Sequence, residues 1–284
     1  LDDIEYVEPN RVYKAAIFPA TLEPRPYTSK GLKSIHSIER RLEKRGAVTQ
    51  ENVPSWGISR INHRNRDDLT SYTLDEKAGE GISVYIFDTG IVPNHPDFAD
   101  RAAIAANFID YEDAVDLAGH GGNSFGIAKN AKLLGVKILD KYGDGETIAL
   151  LREQHGIPVF VSSGNEGDDA CNYSPSSNPS AFTVGASTLN DFIPPFSGHG
   201  NCVGLYAPGT NITSTWLNGQ IQTMDGTSMA NPHVSGIAAV LMSKYNFESA
   251  HEVYDALKSI ATTGVLSSNN GEDNQLLAYY DVDV

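Results

Sequence analysis

Three short apolar runs, each ending in a polar turn, restrict what this chain can become more than any other feature. Ile82-Ser83-Val84-Tyr85-Ile86-Phe87 leads into Asp88-Thr89-Gly90, and residues 132–139 form a second run around Leu133, Leu134, Val136 and Ile138. The third, Ile157-Pro158-Val159-Phe160-Val161, leads into Ser162-Ser163-Gly164-Asn165. Runs of this length without a polar face belong to strands covered on both sides, the mark of a parallel sheet. Residues 146–154, between the second and third runs, read as a short helix, and strand, helix, strand closes a right-handed crossover. Residues 181–187, 202–206 and 213–216 read as further short strands, and 275–281 as a strand-like close. Two helices complete the pattern. One begins near Ser228; the other carries a capping box, Ser249 with Glu252, ahead of Val253, Leu257 and Ile260 at helical spacing. The predicted class is α/β, a parallel sheet with helices on both faces.

In open parallel sheets, functional side chains gather beyond the carboxyl ends of the strands. Asp88 and Asn165 each follow an apolar strand, so both are expected on one edge. Ser228 occupies a different kind of place, the opening of a helix dominated by Ala, Gly and Ser. A hydroxyl there lies beside unpaired backbone N–H groups and the positive end of the helix dipole, where an oxygen turning anionic is stabilised. Taken alone, a serine before a helix is an N-cap. Chemistry at Ser228 needs a base, and histidine is the usual one near neutral pH. Of eight histidines, His120 stands between Gly119 and Gly121, which leave backbone room for a substrate. His233 lies inside the Ser228 helix and reads as a packed core residue; His95 reads as part of a turn. His36, His63, His155, His199 and His251 carry no such context.

The net charge of −15 over 284 residues opposes binding to nucleic acid or to anionic membrane surfaces. No apolar run approaches the length of a membrane span. The chain opens on Leu1 without a charged-then-apolar leader, which reads as a processed or truncated start. Residues 4–10 alternate like a strand and end near Pro9, and residues 34–46 are strongly charged. Two cysteines, Cys171 and Cys202, are too few for a four-ligand zinc site; they form one bridge or remain two buried thiols. Asn172-Tyr173-Ser174 and Asn211-Ile212-Thr213 are glycosylation sequons.

Phe87-Asp88-Thr89-Gly90, Gly164-Asn165-Glu166 and Gly226-Thr227-Ser228-Met229-Ala230 with Pro232-His233-Val234 resemble the signatures of the subtilisin-like serine proteases. The order Asp, His, Ser is also that family's order. More narrowly, Asp169-Ala170-Cys171-Asn172-Tyr173-Ser174-Pro175 and Gly200-Asn201-Cys202-Val203 resemble the fungal proteinase K branch, especially its vacuolar, cerevisin-like members. Trp56-Gly57-Ile58-Ser59-Arg60-Ile61 resembles the start of their mature enzymes, and Glu5-Tyr6-Val7-Glu8-Pro9 the last strand of their inhibitory propeptide.

The resemblance implies two parts: residues 1–46 as the end of an inhibitor-type propeptide with its linker, and residues 47–284 as the peptidase domain. It implies a serine endopeptidase in which Ser228 is the nucleophile and His120 the general acid/base, with Asp88 holding the imidazole. Asn165 becomes an oxyanion donor, and Ser162, Ser163 and Gly164 one wall of the substrate pocket. It also implies a Cys171–Cys202 disulfide, polypeptide substrates, inhibition by the chain's own propeptide, a monomer, and a secreted or vacuolar location in which Asn172 and Asn211 are glycosylated. No cofactor is required for the chemistry. Where calcium-binding relatives carry Asp, this chain has Gly204, which weakens a structural calcium site.

Two departures stand out. After Gly119-His120-Gly121 the family continues into a helix, whereas here Gly122-Asn123-Ser124-Phe125-Gly126 follows. Residues 140–164 replace a longer family stretch that contains the strand pairing with the substrate backbone. The sheet is then expected to close up by one strand, leaving apolar surface on its neighbours. The alternative to an active protease is an inactive relative, or a mis-spliced product, without the substrate strand.

Overall fold

The computed structural model describes residues 12–14, 46–109, 111–112, 124–140, 144–146, 157–268 and 275–283. Its first half contains strands β1 (Val12–Lys14) and β2 (Ala47–Glu51), helix α1 (Trp56–Arg60), and strands β3 (Ser71–Asp75), β4 (Ser83–Asp88), β5 (Ala102–Asn107), β6 (Lys132–Lys137) and β7 (Asp144–Glu146). The second half contains β8 (Phe160–Ser162), β9 (Phe182–Ser187), β10 (Val203–Pro208), β11 (Ile212–Thr215) and β12 (Ile221–Met224). Helices α2 (Thr227–Lys244) and α3 (Ala250–Ile260) follow, then β13 (Thr262–Thr263) and β14 (Leu276–Leu277). The three apolar runs thus supply β4, β6 and β8. The helix expected over 146–154 starts on the residue that ends β7; the rest of it, and the strand expected over 4–10, lie outside the described residues.

The parallel sheet is present in two pieces. One has the order β13-β14-β10-β9-β8, parallel throughout except for β13 at its margin; the other is a fully parallel β4-β6-β5. Among the described residues the two do not join, and the closing-up of the sheet is not seen there. The outer edge of β8 is met by a side chain. The pairing of Phe182 N–H with Val159 O turns the Phe160 carbonyl away from β9, and the Asn231 side chain on α2 donates to it at 3.3 Å. A side chain therefore meets the edge that β4 would have to pair. Exposed apolar surface is found where it was expected: on β4, Tyr85 is 55% and Phe87 49% exposed.

The principal core lies between the larger sheet and the helices. Ala230, Val234, Ile237 and Leu241 of α2 pack with Phe182, Val184 and Leu205 of the sheet and with Val253 and Leu257 of α3. Small residues on α2 allow this close approach; a Cβ at Gly236 would lie 2.9 Å from Ile127. At the start of α3 the Ser249 hydroxyl accepts from Glu252 N–H, as the capping box predicts. The Glu252 carboxylate, however, takes the N–H of Glu248, one residue earlier than the usual partner. Helix α1 is tied down by Arg60, fully buried, whose guanidinium donates to both Asp191 oxygens at 2.8 and 3.0 Å. Breaking so buried a pair costs about 3–5 kcal/mol.

Candidate active site

Asp88 closes β4 at the carboxyl edge of the smaller sheet. Its Oδ1 accepts from Thr89 N–H at 2.6 Å, and its carbonyl accepts from Ile138 and Leu139 N–H at 2.9 and 3.3 Å. Beside it in the register stands Lys137, only 1% exposed, whose Nζ donates to the Thr89 and Leu139 carbonyls and pairs with Glu112. Sequence reasoning missed this lysine, because its partners are main-chain carbonyls that no residue pattern announces.

Asn165 follows β8 through Ser163 and Gly164, the latter at φ +97°, a conformation that glycine adopts without strain. Its Oδ1 accepts from both the N–H and the hydroxyl of Thr227, at 2.8 and 3.0 Å. With the carboxamide oxygen fixed by two donors, the amide nitrogen faces the other way. Both carboxamide atoms lie 3.7 Å from where a Cβ on Gly226 would stand, and Gly226 holds φ +151° immediately before α2. Ser228 is the second residue of α2 and is exposed, so its N–H is one of the helix's unpaired first-turn donors. Asn165 is therefore tied to Thr227, the residue before Ser228. Ser163 turns inward, its Oγ donating to Gly198 O at 3.2 Å, while Ser162 and Gly164 stay half-buried.

His120 lies outside the described residues. Four of the described histidines have structural surroundings. His233 is buried, its Nδ1 at 2.9 Å from Met229 O and its Nε2 against Gly57; burial lowers its pKa to about 4, so the ring is neutral. His95 accepts from Asp97 N–H at Nδ1 and so donates from Nε2 to Gln220 O. His63 contacts Ser59, and His251 the ring of Tyr254.

Cys171 and Cys202 form a disulfide with Cα atoms 5.2 Å apart, joining the turn after Asn165 to the start of β10. Closing a 31-residue loop stabilises by about 3–4 kcal/mol in the chain-entropy account. Asn172 and Asn211 are both exposed. Among the described residues, no group of three or more His, Cys, Asp or Glu side chains is placed to hold a metal. At Gly204 an added Cβ would lie 2.8 Å from the Phe182 ring, so this position does not fit a calcium-binding carboxylate.

Similarity to known proteins bears on this arrangement. The subtilase family matches residues 146–278. Subtilisin-like protease 4 of Arthroderma benhamiae is 36% identical over 279 residues, covering 82% of this chain and 69% of the relative. A cuticle-degrading protease of Metarhizium anisopliae is 35% identical, covering 82% and 71%. The crystal structure of a cold adapted subtilisin-like serine proteinase superposes with a TM-score of 0.71 at 32% identity, over 79% of this chain and 97% of that one. An α/β fold of parallel strands, a small-residue helix opening on Gly-Thr-Ser, and relatives at this identity lead to one conclusion: the chain belongs to the subtilisin-like serine proteases of the subtilase family.

Proposed function

We propose that this chain hydrolyses peptide bonds through an acyl-enzyme on Ser228. The observation that carries the reading is the pair of hydrogen bonds from Thr227, N–H and hydroxyl, to Asn165 Oδ1, which ties Asn165 to the first residue of α2 and leaves its amide N–H groups free of that contact. In the reaction, Ser228 Oγ attacks the scissile carbonyl carbon and its proton passes to His120, whose charged form Asp88 stabilises. The carbonyl oxygen, now anionic, accepts hydrogen bonds from Asn165 Nδ2 and Ser228 N–H. The C–N bond then breaks as His120 returns the proton to the leaving amine. Water, activated by the same histidine, releases the acyl group. Ser162 and Gly164 line the pocket for the residue before the scissile bond, with Ser163 supporting them from behind. No metal enters the chemistry.

In the same reading, residues 1–46 are an inhibitory segment. Strand β1 runs antiparallel to β7, Val12 opposite Glu146 and Lys14 opposite Asp144, so the N-terminal part occupies a strand edge by backbone pairing. The disulfide and the exposed sequons support a secreted or vacuolar location with glycosylation at Asn172 and Asn211, and the same reading takes the chain as a monomer.

The division of the sheet favours a second reading, a protein that keeps the fold without cleaving peptides. Among the described residues, β4 and β8 are edges rather than neighbours of a substrate-pairing strand. Labelling with a fluorophosphonate separates the two. Covalent modification of the wild type and none of Ser228→Ala is expected; equal or absent labelling of both ends the protease reading.

A further inference from the structure

We propose that Lys137 is a positioning residue for Asp88, acting through the main chain of Thr89. The inference rests on the catalytic reading of Asp88, but its geometry stands separately. Lys137 is 1% exposed, and its three ammonium protons have three partners: Thr89 O at 2.7 Å, Leu139 O at 2.9 Å and Glu112 Oε2 at 3.1 Å. Burying an ammonium is costly unless each donor is satisfied, and here two of the three acceptors are neutral carbonyls. A cation held only to neutralise Glu112 would not need them.

The first of those carbonyls gives the lysine its role. Thr89 is tied at both of its main-chain groups, its N–H to Asp88 Oδ1 at 2.6 Å and its C=O to Lys137 Nζ. The next residue, Gly90, sits at φ +125°, where a glycine resists rotation least. The Asp88 carbonyl is meanwhile fixed by the N–H groups of Ile138 and Leu139. The end of β6 therefore grips the turn after Asp88 at two carbonyls, one of them through a charged donor. Lys137 fixes the Thr89–Gly90 peptide and Ile138 and Leu139 fix the Asp88–Thr89 peptide, so Thr89 is held from both sides; its N–H aims the Asp88 carboxylate, and the carboxylate aims the imidazole.

The test uses Lys137→Met combined with Glu112→Gln, which removes both charges and leaves no unpaired buried ion. A displacement of the order of an ångström at Asp88 lowers kcat on the order of 10- to 100-fold. KM is expected to stay within about twofold, because the substrate does not touch Lys137. The Thr89 amide proton, moved downfield by its short bond to a carboxylate, is expected to shift upfield in a 1H–15N spectrum of the double variant. Glu112→Gln alone, which keeps both carbonyl contacts, is expected to leave kcat and that amide near wild type. A folded double variant with wild-type kcat and an unmoved Thr89 amide overturns the proposal; so does a Glu112→Gln variant that reproduces the double variant's losses. If the double variant does not fold, Lys137→Arg keeps a buried cation, displaces its donors and is read by the same two signals. If the wild type takes no fluorophosphonate, the protease reading fails, and the amide shift still decides whether Lys137 places Asp88.

Discussion

At the scale of single residues, the site depends on which atom of a side chain is already committed. Asn165 gives its oxygen to Thr227, so only its amide is left to act. Asn165→Asp keeps an acceptor for Thr227 and removes the donor. It is expected to lower kcat by about 10²–10³ with little change in KM, a magnitude known from subtilisin itself, and steady-state kinetics on a peptide substrate check it. His233 shows the opposite case, a titratable group whose worth is in remaining neutral. Its folded pKa of about 4 lies below the ordinary 6.5, so at pH 7 both folded and unfolded forms are unprotonated and nothing is lost. As pH falls through 6.5 the unfolded chain gains a proton that the folded ring refuses, and about 3 kcal/mol of stability is lost by pH 4. Urea denaturation of the wild type and of His233→Gln between pH 7 and 4 is expected to show a flatter profile for the variant.

At the scale of elements, β4 is the least protected piece of secondary structure near the site. Its outer edge is unpaired by any described strand, and Tyr85 and Phe87 project from it into solvent. Open apolar edges invite pairing between molecules. Phe87→Lys is expected to slow aggregation seen by light scattering while changing stability by no more than about 0.5 kcal/mol. This element also shows what could be read in advance. The runs that became β4 and β6, the Ser249 box and the small-residue helix were legible because each carries its own local signal. Strand β5 was not: Ala102-Ala103-Ile104-Ala105-Ala106-Asn107 has weak strand propensity and is extended because β6 lies beside it. Strands β2 and β3 likewise take their form from pairing with each other. The contact of Asn231 with Phe160 O was also illegible, since it joins residues 71 apart in sequence. At the site, Asp88, Asn165 and Ser228 were marked by the turns and the helix start they occupy. Lys137 was not, because its partners are main-chain carbonyls that no side-chain pattern announces.

At the scale of the molecule, the residues proposed to act are divided between two bodies of unequal strength. Ser228 and Asn165 belong to the larger sheet and α2, backed by the principal core and the Cys171–Cys202 loop. Asp88 belongs to the three-stranded sheet, whose own buried cluster is Ile91, Phe98 and Leu133. Proteins open in parts, and the part with fewer buried apolar contacts opens first. The two bonds from Thr227 to Asn165 make nucleophile and oxyanion donor travel as one unit, so thermal motion cannot easily part them. What heat is expected to separate first is Asp88 from Ser228 and Asn165. On the proposed protease reading, loss of turnover on warming is then expected to be an early, reversible event, distinct from melting, and an assay after cooling is expected to recover activity that an assay at temperature does not see.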